Sequence, residues 1–231
     1  MVKIVAAACM CADHAGYILH TGGLATYLTG RVAFPLFCFA AAVAILRLRD
    51  DTAHLYRQAA VLLFFAVLSE PVAQLARAGY MAVNVLFTLA LGMAVAPALM
   101  ATKTHVRAVV YALALAAFAL PNAWEFGFAG MLLPVTLALA LRGSCLDGAA
   151  ALVLAGAVNF GGYAVFDVAQ PALAAVVVLC ATLVPTAILF ALNAYYAARP
   201  VQGRVLSRYM LHFFYPAHLL VLWAIVRLAG Q

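Results

Sequence analysis

A series of long apolar segments decides what this chain can fold into. Nine can be drawn, over about residues 2–20, 31–48, 54–76, 81–101, 106–120, 127–141, 148–166, 172–192 and 209–228. Most approach the roughly 20 residues that a helix needs to cross about 30 Å of hydrocarbon. In lipid the backbone must satisfy itself, so only helices and closed barrels span. The segments lack the two-residue alternation of a membrane barrel. The expected fold is therefore all-α: a polytopic integral membrane bundle of about nine transmembrane segments (eight to ten), forming one domain over residues 1–231. Composition agrees, with 69% hydrophobic and 9% charged residues, against about 45–50% and about 25% in soluble domains. No hydrophilic stretch is long enough to fold as a soluble ligand-binding domain. Segments five and six are short, and are expected to be tilted neighbours inside the bundle or a re-entrant pair.

Basic residues then orient the segments. On the side of Lys3 the connections carry Lys3, Arg47, Arg49, Arg57, Lys103, Arg107, Arg142, Arg199, Arg204 and Arg208; the other side carries Arg31, Arg77 and Arg227. Ten against three places the N-terminus in the cytoplasm and, with nine spans, the C-terminus outside. The net charge of +6 is thus an orientation signal at helix ends, and no nucleic-acid partner is expected. Asp13 and His14 interrupt the first apolar run, so no cleavable signal peptide is expected. The five cysteines, Cys9, Cys11, Cys38, Cys145 and Cys180, make no disulfide framework. Cys9 and Cys11 point to different helix faces and are a poor metal pair, so no metal is expected.

Polar residues inside the segments mark a candidate site, because ionisable groups at bilayer depth are costly and normally face a protein interior or a wet cavity. With about 1.5 Å of rise per residue, Asp13 and His14 lie past the middle of segment one, toward the outside. Arg31 opens segment two from the outside. Ser69 and Glu70 lie in the outer part of segment three, and Asn84 in the first turn of segment four. Glu125 lies in the outer loop before segment six. His218 is near the middle of the last segment, with Tyr215 one turn away on its face. Charges from distant parts of the chain thus collect in one layer. Arg31 and Glu70 can be a purely structural ion pair. His14 and His218 are the better candidates for chemistry, since imidazole exchanges protons near neutral pH.

The opposite face is basic. Arg47, Arg49 and Arg57 form one cluster, Lys103 and Arg107 a second, and Arg199, Arg204 and Arg208 a third. Such clusters serve topology or anionic lipid, or grip a polyanionic cytoplasmic ligand such as a nucleotide-bearing cofactor. There is no GxxxxGK[ST] loop and no GxGxxG unit. No internal repeat is evident, which argues against a transporter of inverted halves.

Several stretches together resemble the TraX family, the pilin acetylases of conjugation systems and their chromosomal relatives. They are Asp13-His14-Ala15-Gly16, the GRxAFPLFxF run from Gly30 to Phe39, Arg57, Ser69-Glu70-Pro71, the NxLFTLxxG run from Asn84 to Gly92, Glu125-Phe126-Gly127, and Tyr215-Pro216-Ala217-His218-Leu219. The matches run in family order over nearly the whole chain; Glu125 stands where the family more often carries Asp. The resemblance implies acetyl transfer from acetyl-coenzyme A to the N-terminal amine of a pilin held in the bacterial inner membrane, or to another envelope acceptor.

On that reading the basic residues Arg47, Arg49, Arg57, Lys103, Arg107, Arg204 and Arg208 hold the cofactor phosphates. His14, or else His218, is the base or a transiently acetylated nucleophile. Asp13 is about 100° around the helix from His14, so it binds the substrate ammonium or Arg31 rather than orienting His14. Arg31 or Asn84 stabilises the oxyanion. Glu70, Asn84, Glu125 and Tyr215 line the acceptor side. The rival readings are a proton-coupled transporter or exporter, which needs the same intramembrane acids and imidazoles, and a non-catalytic scaffold of envelope assembly.

Overall fold

The computed structural model describes residues 2–21, 23–77, 82–117, 125–160, 187–188, 191 and 210–229. These residues contain eight α-helices and no strand: α1 (Val2–Ile18), α2 (Leu24–Arg47), α3 (Thr52–Ala76), α4 (Val85–Ala101), α5 (Thr104–Ala117), α6 (Gly127–Leu141), α7 (Cys145–Phe160) and α8 (Met210–Leu228). The expected segment 172–192 lies almost wholly outside the described residues, as do Arg199, Arg204 and Arg208.

The second segment is expected from residue 31, but α2 begins seven residues earlier, at Leu24. Thr26 explains the start: its hydroxyl donates to the Gly23 carbonyl at 2.8 Å and accepts the Gly23 N–H at 3.0 Å. Gly30 and Arg31 therefore sit inside the helix. Gly30 is where α1 crosses, and a Cβ there would collide with the Asp13 carboxylate. Asn84 is the N-cap of α4 rather than part of its first turn; its Oδ1 accepts the Leu86 N–H at 3.0 Å, the usual work of an Asn in that position. Asp51 caps α3 in the same way, accepting from the His54 N–H at 2.9 Å.

Helix α6 lies inside the bundle, packed against α2, α4, α5 and α7. Its 15 residues span only about 22 Å, and ten of them are buried. It thus has the place inside the bundle that is one of the two arrangements expected for the short segments, whereas its neighbour α5 buries only Arg107, Tyr111 and Ala114. Gly92 lets α4 approach it: a Cβ there would come within 2.5 Å of the Met131 carbonyl oxygen. Among the described residues, two helices qualify as membrane spans by length and composition, Ala25–Arg47 and Thr52–Ala76; the other apolar helices described are shorter.

Helix ends sort to two poles. Val2 packs with Leu36 and Phe39, beside Val43 and Leu141. Ile45, Leu55, Ala96 and Leu139 join the end of α2, the start of α3 and the ends of α4 and α6. At the other pole the Glu125 N–H donates to the Val83 carbonyl at 3.0 Å, tying the approach to α6 to the approach to α4. Helix α8 packs on α3 and α1. The chain thus brings its last helix back to its first.

Arg107, expected on an open basic face, is instead buried. Its guanidinium donates to Asp147 twice, at 3.1 and 2.8 Å, and to the Thr102 carbonyl at 2.7 Å. Tyr111 donates to the same carboxylate at 2.5 Å, and Ser144 donates to its other oxygen. Asp147 has no exposed surface, yet both its oxygens are satisfied, which is what keeps a buried charge tolerable. The cluster clamps the start of α5 to the start of α7 and leaves Arg107 without a free fork for phosphate. Replacing Asp147 with Ala is expected to destabilise the protein by about 3–5 kcal/mol, since it strands a buried guanidinium. Thermal unfolding of purified protein in detergent checks this; an unchanged midpoint would contradict it.

Candidate active site

His14 and His218, 204 residues apart, meet where α1 packs on α8. Nδ1 of His14 lies 2.7 Å from Nε2 of His218, and the ring planes differ by only 2°. Both side chains are buried, at 9% and 8% exposure. On α8, one turn back, the Phe214 carbonyl lies 2.9 Å from Nδ1 of His218, and the Phe214 ring stacks on the imidazole at 5.2 Å. Tyr215 presents its ring edge-on to both imidazoles, at 6.3 and 5.6 Å. The spacing 214, 215, 218 places these groups on one helix face. Both candidate histidines and Tyr215 are thus brought together.

Asp13 turns away from His14, as its position around the helix requires. It pairs with Arg31 at 3.6 Å, so the partner of Arg31 is Asp13 and not Glu70. The Arg31 guanidinium lies over the Tyr27 ring, 4.7 Å from its centre. Its Nε is buried and has no hydrogen-bond partner among the described residues.

A second pair stands close by. Arg77, the C-cap of α3, donates to Glu125 at 3.0 Å and is 5% exposed. Arg31 and Arg77 both lie within electrostatic range of His14, and Glu125 within range of Asp13. Both guanidiniums thus lie near His14, and each has its own carboxylate partner, Asp13 or Glu125. Sequence reasoning missed Arg77, taking it only as an orientation charge. Its position at the end of a long apolar helix was the available signal. The Glu125-Phe126-Gly127 turn is tight: Phe126 has φ 65° and Gly127 φ 55°, and Phe126 is held by stacking on Phe34 at 3.9 Å.

Glu70 and Asn84 do other work. Glu70 accepts the Asn84 backbone N–H at 2.9 Å, the Asn84 amide at 2.7 Å and the Gln74 amide at 2.5 Å. The second amide hydrogen of Asn84 goes to the Ala66 carbonyl at 2.8 Å. Asn84 is fully buried and spends both N–H groups on the protein. It staples α3 to the start of α4 and has no donor left for an oxyanion.

At the opposite pole Arg49 and Arg142 line a cleft of about 460 Å³, with Asp50, Thr52, Pro97 and Met100. Arg49 also contacts Asp50 at 3.2 Å. Arg57 opens instead on an apolar groove of about 450 Å³ beside Phe64, Phe65 and Phe213. Arg47 and Lys103 are exposed. Of the expected phosphate-binding residues, Arg49 is thus gathered into a basic cleft, with Arg142 as its partner. Arg107 is committed to Asp147, and Arg204 and Arg208 lie outside the described residues. Among the described residues, no group of three His, Cys, Asp or Glu is placed to hold a metal ion.

Chemically, the layer around the two histidines offers a hydrogen-bonded imidazole pair, a buried guanidinium N–H without a partner among the described residues, and two ion pairs whose guanidiniums lie near His14. That set can take up and return a proton while steadying a developing negative charge. Comparison with curated proteins and with solved structures gave no match. A family model described as TraX protein matches residues 1–226. With all but the last few residues matched, and with the paired histidines supplied by the DHAG and YPAH stretches, the chain belongs to the TraX family.

Proposed function

We propose that this protein is a polytopic acetyltransferase of the bacterial inner membrane. It moves an acetyl group from cytoplasmic acetyl-coenzyme A to the N-terminal amine of a membrane-held pilin subunit. The observation that carries the reading is the buried contact between His14 and His218, set at the pole opposite a basic cleft. Membership of the TraX family supports it. So does the charge bias, which assigns the basic pole and the N-terminus to the cytoplasm. On this orientation the nine apolar segments cross the membrane.

Each group has a task. Arg49 and Arg142 grip the donor's phosphates from the cytoplasmic pole. His14 takes a proton from the attacking amine, which must be neutral at nitrogen to attack a thioester. The new C–N bond forms as the C–S bond breaks, and the proton held by His14 leaves on the thiolate. Arg31, with its spare buried N–H, donates to the oxyanion that develops on the carbonyl. Asp13 holds Arg31 in place. Tyr215 walls the imidazole pair and excludes water. Glu125 faces the acceptor side, restrained by Arg77.

His14→Ala is expected to lower acetyl transfer by about 100-fold or more, the usual worth of a general base, while acetyl-coenzyme A still binds. Radiolabelled donor and a pilin-like peptide amine, with purified protein in detergent, give both quantities. Full transfer by folded His14→Ala would contradict the mechanism. No donor binding by folded wild type would overturn the acetyltransferase and favour a proton-coupled transporter, which also uses buried imidazoles. Replacing Arg49 and Arg142 together with Glu is expected to raise KM for the donor at least about tenfold, the effect of losing roughly 1.4 kcal/mol of binding, with kcat little changed. An unchanged KM would remove the cleft from the donor site.

A further inference from the structure

The contact between the two imidazoles has a direction. The Phe214 carbonyl oxygen, 2.9 Å from Nδ1 of His218, can only accept, so that nitrogen carries the proton. The carbonyl has two lone pairs and can serve both the helix and the ring. In a neutral His218 the other nitrogen, Nε2, is then a lone pair. It faces Nδ1 of His14 at 2.7 Å, a distance at which two lone pairs would repel. Nδ1 of His14 must therefore donate. The lone pair of neutral His14 is left on Nε2, the nitrogen turned away from His218.

We infer that His218 is a positioning residue: anchored on the Phe214 carbonyl, it accepts from Nδ1 of His14 and so fixes the tautomer whose Nε2 is the proton acceptor. Which nitrogen of a histidine is basic is set by the hydrogen bond the other one makes. A carboxylate does this in many hydrolases. Here the adjacent carboxylate, Asp13, is committed to Arg31, and a neutral imidazole from the far end of the chain takes the place. The near-parallel rings and the Phe214 and Tyr215 side chains hold His218 in plane for the contact. When Nε2 of His14 gains the amine proton, its Nδ1–H becomes a stronger donor to His218, which steadies the cation. When the proton leaves on the thiolate, the original tautomer is restored, and His218 keeps its own proton throughout. The catalytic consequence rests on the acetyltransferase reading; the proton arrangement does not.

The test is nitrogen NMR of the full-length protein in lipid nanodiscs with 15N-labelled histidine, with His14 assigned by loss of its signals in His14→Ala. His14 in the wild type is expected to show a protonated Nδ1 and an unprotonated Nε2. His218→Phe keeps a ring but no acceptor, and is expected to shift the proton toward Nε2. His218→Gln offers an amide oxygen at the right reach and is expected to retain Nδ1–H. In acetyl-transfer assays, His218→Phe is expected to lose kcat by at least about tenfold, within the range of general-base effects, at near-constant donor KM. His218→Gln is expected to recover part of that loss. A wild-type His14 protonated on Nε2, or a tautomer indifferent to His218→Phe, overturns the inference. If His218→Phe does not fold, the wild-type and His218→Gln spectra decide. The stated tautomer without any transfer by wild type supports the proton arrangement and overturns its catalytic role.

Discussion

A charge carried into an apolar bundle survives only beside an opposite charge or enough hydrogen bonds to replace water. Among the described residues, three ion pairs of this kind organise the protein. Asp13 and Arg31 join α1 to α2, and they can meet only because residue 30 has no side chain. Arg77 and Glu125 join the end of α3 to the turn before α6. Arg107 and Asp147 join α5 to α7. Each pair removes freedom from two helices that apolar packing alone would leave able to slide. The guanidiniums of the first two act on His14, so the groups that hold the helices also shape the field around it.

The same constraint separates the two poles. Paired and mixed charges lie at one pole, where α3 ends and α4 and α6 begin. Exposed cations collect at the other, around Arg47, Arg49, Lys103 and Arg142, although Arg49 contacts Asp50 and the buried Arg107–Asp147 pair lies there too. Exposed cations suit water, anionic headgroups or phosphates. A buried balanced layer suits proton transfer away from bulk water. His14 stands 12 residues into the chain from Val2, about 18 Å along the helix, so the two kinds of chemistry are separated by much of a bilayer's thickness.

Much of this was legible in the sequence because apolar length and charge position are local signals. The bounds of α6 and the end of α3 agree with the apolar runs to the residue. The gathering of Asp13, His14, Arg31, Glu125 and His218 follows from their depth along successive helices. Pairing was legible only as alternatives, Asp13 or Glu70 for Arg31. Nothing local says that Arg31 takes Asp13 in preference to Glu70, or that Glu70 spends itself on Asn84. Arg107 reads like any basic residue after a loop; only the return of α7 brings Asp147 and Ser144 to it. The early start of α2 was hidden for a related reason. Gly30 and Arg31 look like a break until the carboxylate of Asp13 both fills the space above the glycine and neutralises the arginine.

The central claim is that a donor held at the basic pole is used by a histidine near the other. Sealed vesicles containing the protein in one orientation test it most directly, with acetyl-coenzyme A supplied on the basic side and a pilin-like peptide amine on the opposite side. The account predicts acetylated peptide on the far side, with the donor itself never crossing, and none when the donor is placed there instead. Transfer only when donor and peptide share one side would contradict it.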